Sequence, residues 1–168
     1  MIEITSISQV PNVPAVYAMF GGHRRTKYVA YVGLAGKFRS RLEQHLVRKD
    51  STVTTGVTAV SLNPDLITEV QWWEHPDFEK SDFLRAAELV AFDVLEPALR
   101  SRGAITDRAK KHYDSEAFYR RTVILFKEEA TGKLVFHTAS DARHRLADHE
   151  ARLRALEQHV AALKKRKA

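Results

Sequence analysis

The stretch from Tyr31 to His45, YVGLAGKFRSRLEQH, constrains this chain most, because it demands a strand that runs through a small-residue turn into a helix. Tyr31, Val32 and Gly33 end an apolar, β-prone run, YVAYVG, and Leu34 to Lys37 supply the turn. Good helix formers follow from Phe38 to Val47, with Phe38, Leu42 and Leu46 spaced to face a core. Arg41 and His45 share that four-residue spacing on the adjoining face, one turn apart. Such a pairing of guanidinium and imidazole is what a phosphate-handling site would need.

Upstream, Val13 to Phe20 reads as a second β-prone run, and the Gly-rich GGHRRT joins it to the strand ending at Gly33 as an antiparallel hairpin. Tyr17 and Tyr31 then project on the same face of a sheet. The Thr-, Ser- and Val-rich stretch DSTVTTGVTAVSLNP reads as a loop, and Asp65 to Glu74 as a third strand with Leu66, Thr68, Val70 and Trp72 on one face. Alternation then keeps Trp72 and Trp73 from both pointing inward, so one of them is either an exposed platform or partner contact or, the favoured reading, partly buried in the core. After the break at His75-Pro76-Asp77, Ser81 is the expected cap of a helix over Asp82 to Glu96, whose stripe is Leu84, Ala87, Ala91, Val94 and Leu95, with Glu88 beside it. Leu99 to Tyr113 is a basic segment with a short helix from Thr106. The β-branched run YRRTVILFK, Tyr119 to Lys127, is expected as a strand that EEATGK turns back into LVFHT, making a second hairpin.

The last segment, Ser140 to Ala168, carries heptads: Ala139, Leu146, Leu153 and Val160 form one seam, and Ala142, His149, Leu156 and Leu163 the other. Arg145 and Arg152 precede Glu150 and Glu157 at positions that pair across a parallel two-stranded coil. Two arrangements follow, a homodimer through this helix or one amphipathic helix folded back on its own domain.

A chain of 168 residues with 44% hydrophobic content is large enough for one domain with a core and an appendage. It has no Cys, which excludes disulfides and thiolate zinc sites. The first residues lack the pattern of a signal peptide and no run approaches membrane-spanning length, so a cytoplasmic protein without a membrane partner is expected. The net charge of +6 is unevenly spread: residues 20 to 50 carry eight basic against two acidic groups, and residues 60 to 99 two against nine. The positive stretch suits a surface that tracks a phosphate backbone.

Taken together, Ala15-Val16-Tyr17, Tyr31-Val32-Gly33, Arg41, His45, Glu88 and Pro97 resemble the words of the GIY-YIG endonuclease family, in order and at fitting intervals, over roughly Val13 to Arg100. The resemblance implies an α+β fold, a small antiparallel sheet flanked by helices, for residues 1–113. Residues 114–138 would be a β-hairpin extension and 139–168 a C-terminal helix with coiled-coil character. It further implies a metal-dependent endonuclease that hydrolyses DNA, with RNA as an alternative substrate.

The same resemblance assigns catalytic roles to Tyr17, Tyr31, Arg41, His45 and Glu88, with Glu88 holding a single Mg²⁺ or Mn²⁺. Nucleic-acid contacts fall to Arg24, Arg25, Lys37, Arg39 and Arg100. Arg41 would hold a nonbridging phosphate oxygen with its planar fork, and the tyrosines would order or deprotonate the attacking water. An unperturbed phenol, with a pKa of about 10, is a poor base at neutral pH. His45 is the better base by its ordinary pKa, or it polarises a tyrosine, and the sequence does not assign the proton. Two positions depart from the family: Leu34 stands where a polar residue is frequent, and Arg100 where an Asn is. These departures motivate the alternative of an inactive nucleic-acid-binding dimer that keeps the nuclease fold.

Overall fold

The apolar runs around Tyr17 and Tyr31 form neighbouring antiparallel strands inside a six-stranded mixed sheet. A computed structural model describes residues 1–22, 24–48, 63–101 and 104–136. The strands are β1 (Ile2–Ile4), β2 (Ala15–Gly21), β3 (Tyr28–Ala35), β4 (Ile67–Trp73), β5 (Leu99–Arg100) and β6 (Gly132–Val135), in the spatial order β1-β6-β4-β2-β3-β5. The β1–β6 and β3–β5 pairs are parallel and the rest antiparallel, so the sheet is α+β in class but not purely antiparallel.

Apolar side chains cover both faces of this sheet. One face packs Tyr17, Met19, Tyr31, Val70, Trp72 and Leu134 beneath Phe38, Leu42 and Leu46. The other packs Val16, Ala18, Val32 and Trp73 beneath Ala87, Val90 and Ala91 of helix α2 (Ser81–Leu95) and Phe118 and Phe126 of helix α4 (Glu116–Lys127). Two-sided burial is why β2 and β3 read as nearly continuous apolar runs. It also corrects the expectation for the tryptophans: Trp72 and Trp73 point to opposite faces, and both are 2% exposed. A Cβ at Gly132 would collide with the Trp72 indole, so β6 needs glycine where that ring lies.

Three further expectations change. The run YRRTVILFK is not a strand but most of α4, so the second hairpin does not exist. Phe118, Thr122 and Phe126 recur every four residues and are buried together, while Arg120 pairs with Glu116 one turn back. That helical period overrides the β-propensity of Val123 and Ile124. The strand after it, β6, lies between β1 and β4, with Leu134 fully buried, so residues up to 136 belong to the same sheet. Ser81 is the first residue of α2 rather than its cap, since Lys80 holds the cap position. The short helix expected from Thr106 is α3 (Asp107–Tyr113), with Thr106 as its cap, accepting from Ala109 N–H at 3.1 Å.

The helix after β3 starts as expected in α1 (Phe38–Leu42), then widens into a π-helical segment over Glu43–Arg48. π turns of this sort concentrate at functional sites. The heptad segment lies outside the described residues. Among the described residues no helix is long and apolar enough to cross a membrane.

Candidate active site

Tyr17 on β2 lies opposite Gly33 on β3, and Tyr31 lies two residues before Gly33, so the two tyrosines are diagonal neighbours on one face. Their ring centroids are 6.0 Å apart. Gly33 makes this convergence possible. A Cβ built there would sit 2.8 Å from the Tyr31 hydroxyl and 3.0 Å from that of Tyr17, so both phenol tips fill the space a side chain would take.

The π-helical segment turns His45 into the same place, where it is fully buried. Its Nε2 shares a 2.8 Å hydrogen bond with the Tyr17 hydroxyl, and its ring centroid lies 5.4 Å from that of Tyr31. Arg41, one turn earlier, donates to Gln44 Oε1 at 2.9 Å and remains close enough to both phenols and to His45 to act on the proton affinity of all three.

Glu88 approaches from α2, on the other side of the sheet. It is only 6% exposed. Its carboxylate accepts from the backbone N–H of Leu34 and from the Ser101 hydroxyl, the latter at 2.6 Å. The chain path explains both partners. Helix α2 ends at Glu96 in a left-handed cap (φ 46°), followed by Pro97, and the chain reverses so that Leu99 and Arg100 run beside Tyr31 and Val32. Because β5 ends at Arg100, opposite Val32, the next residue, Ser101, turns back to Glu88.

Burial decides the electrostatics. It pushes the Tyr17 hydroxyl well above the usual phenol range, helped by Tyr31 and opposed by Arg41. Tyr31 rises for the same reason, with the Glu88 charge as the next cause. Burial also lowers His45 to about 3, with Arg41 adding to the effect. The Glu88 carboxyl is raised by burial, while Ser101, the Leu34 N–H and Arg85 pull it down in part. The resting site therefore holds two neutral phenols and a neutral imidazole around one permanent cation. His45 is thus a poor base in the folded protein, which favours the alternative in which it polarises a tyrosine.

This burial has a consequence for stability. Between about pH 6.5 and pH 3 the unfolded chain takes up a proton on His45 that the folded protein refuses, so stability falls as pH drops through that window. At pH 5 the expected loss is about 2 kcal/mol relative to pH 7.5. Glu88, raised in the fold, acts in the opposite direction. Urea unfolding of wild type and His45→Gln at the two pH values isolates the histidine: the variant should lose less stability on acidification. Equal losses would show that His45 is not held neutral.

The chain matches no family model, no curated protein and no solved structure. The site therefore stands on its geometry alone.

Of the five residues expected to be catalytic, Tyr17, Tyr31, Arg41 and His45 come together on one face of the sheet, and Glu88, bonded to Ser101 on the other side, is linked to them through the effect of its charge on Tyr31. The residues expected to contact nucleic acid are more scattered in their roles. Arg25 and Lys37 are exposed. Arg39 spends a donor on Ser8 O at 3.2 Å, and Arg100 lies over the Phe92 ring at 5.3 Å. The Arg24 side chain is outside the described set. Among the described residues no group of three or more His, Asp or Glu side chains gathers for a metal, and the Glu88 charge acts on Tyr31.

Sequence reading missed Ser101 and the Leu34 backbone N–H. It also missed Arg85, which sits three residues before Glu88 on α2 and was legible from that spacing. The Leu34 contribution is made by the main chain, so the apolar side chain at that position does not remove it.

Proposed function

We propose that this protein is a metal-dependent endonuclease of the GIY-YIG type, hydrolysing phosphodiester bonds in DNA. One observation carries the reading: two phenol hydroxyls meet over the bare Cα of Gly33, an imidazole bonds to one of them, a guanidinium acts on both, and a buried carboxylate acts electrostatically on Tyr31. A structural core has no need for so many buried polar groups.

In this reading Arg41 binds a nonbridging phosphate oxygen and stabilises the charge that builds there in the transition state. The hydroxyls of Tyr17 and Tyr31 position the attacking water over the Gly33 backbone. His45 acts through Tyr17, fixing the orientation of its hydroxyl by their 2.8 Å hydrogen bond. Glu88 suits a hard divalent cation: it is a buried carboxylate with two fixed donors and lone pairs to spare, and it supplies the single protein ligand that an Mg²⁺ keeping most of its waters requires. Bound there, Mg²⁺ or Mn²⁺ would offset phosphate charge and neutralise the Glu88 charge, which adds to burial in raising the Tyr31 hydroxyl. Arg25, Lys37 and Arg100, all exposed, are assigned to the phosphate backbone.

The test is a cleavage panel over single-stranded and double-stranded DNA and over RNA, with Mg²⁺, Mn²⁺ or EDTA. Cleavage of DNA that EDTA stops, and that Arg41→Ala loses, is the expected result. Binding without cleavage on every substrate would favour a non-catalytic nucleic-acid-binding module instead. Cleavage of RNA alone would keep the chemistry and change the substrate.

A further inference from the structure

We infer that Ser101 is a positioning residue for the divalent cation, holding the Glu88 carboxylate in the rotamer that presents its free lone pairs to the tyrosine face. The inference rests on the nuclease reading above. Glu88 projects from a helix on the opposite side of the sheet from α1, and a glutamate side chain has three rotatable bonds with which to miss its target. Two donors restrain it. The Leu34 N–H is a fixed main-chain group, and the Ser101 hydroxyl closes on Oε1 at 2.6 Å, a length typical of a charge-assisted bond.

The geometry that delivers Ser101 is particular. The left-handed cap at Glu96 and Pro97 reverse the chain, and Ala98 N–H donates to Val29 O at 2.9 Å. Arg100 then turns its guanidinium to the ring of Phe92, one helical turn beyond Glu88, and Ser101, the residue after the strand, faces Glu88. Arg100 and Ser101 thus meet α2 one turn apart, at Phe92 and Glu88, as the chain leaves the short strand. Ser101 is partly buried, its hydroxyl committed to the carboxylate and not to solvent display. Groups that orient a metal ligand in this manner typically change metal affinity by about 10- to 100-fold when removed.

The experiment uses the full chain and reads Mn²⁺ binding directly, from the loss of the free-ion electron paramagnetic resonance signal, alongside the Mn²⁺ dependence of DNA cleavage. Ser101→Ala should raise the half-saturating Mn²⁺ concentration about tenfold or more in both measurements, with cleavage at saturating Mn²⁺ close to wild type. Ser101→Thr keeps the hydroxyl and should restore both curves. A thermal melt of each variant guards against a folding defect, since a merely structural serine would shift Tm without moving the metal curve. Wild type that binds and cleaves, with Ser101→Ala superimposed on it, would overturn the role of Ser101 and leave the nuclease standing. Wild type that neither binds Mn²⁺ nor cleaves DNA would instead overturn the nuclease reading, and this inference with it.

Discussion

Replacing Glu88 by glutamine should lower metal-dependent cleavage by on the order of 10³-fold while leaving the protein as stable as wild type or more so. The two halves of this expectation have a common origin. The carboxyl is nearly buried, and burial raises its pKa, which means that the fold holds the charged form at a cost. A group of this sign contributes stability below its unfolded pKa and loses it as pH rises through the folded value, so at pH 7 the charge is a burden on the native state. Glutamine is isosteric, keeps a carbonyl oxygen for Ser101 and the Leu34 N–H, and removes that burden. What it cannot do is hold a hard cation with comparable strength, because the negative charge is gone. Measuring cleavage rate and Tm on the same preparation decides the matter. A carboxylate retained only for structure would give the opposite pattern, with cleavage intact and Tm reduced.

How far the sequence foretold this arrangement depended on the range of the signal. The β2–β3 hairpin, the shared face of Tyr17 and Tyr31, and the stripe on α2 were all readable, because each is set by local apolar period and by turn residues. Segment α4 was misread as a strand for the same reason that the others succeeded. From Tyr119 onward the β-branched residues dominate, and the helical evidence lies partly upstream, in Glu116 and Phe118. The burial of both Trp72 and Trp73 was hidden because it follows from α4 covering the second face of the sheet. Ser101 could not be found at all from its neighbours in the chain. Its hydrogen bond to Glu88 exists only because a left-handed cap and a two-residue strand bring it back across thirteen positions.

Gly33→Ala is the other change expected to be nearly complete in its effect on activity. It adds a single methyl group, yet that carbon would lie 2.8 Å from both Cε1 and the hydroxyl of Tyr31, and 3.0 Å from the hydroxyl of Tyr17. Neither ring has an easy retreat. Tyr17 packs against Phe38 at 5.2 Å between centroids and is tied to His45, and both phenols are almost fully buried. Overpacking of this kind costs about 1–3 kcal/mol of stability, and a shift of about 1 Å at reacting groups costs about 10²-fold in rate. The fold should survive and DNA binding should hold, since Arg25, Lys37 and Arg100 are exposed side chains that the methyl does not meet. Gly36→Ala is the internal control, because nothing lies within 4 Å of a Cβ at that position. Cleavage should therefore fall at least about 10²-fold in Gly33→Ala and remain near wild type in Gly36→Ala. If the two variants behave alike, the close approach of the phenols to the Gly33 backbone has no part in the reaction, and the tyrosines are packing residues that happen to meet there.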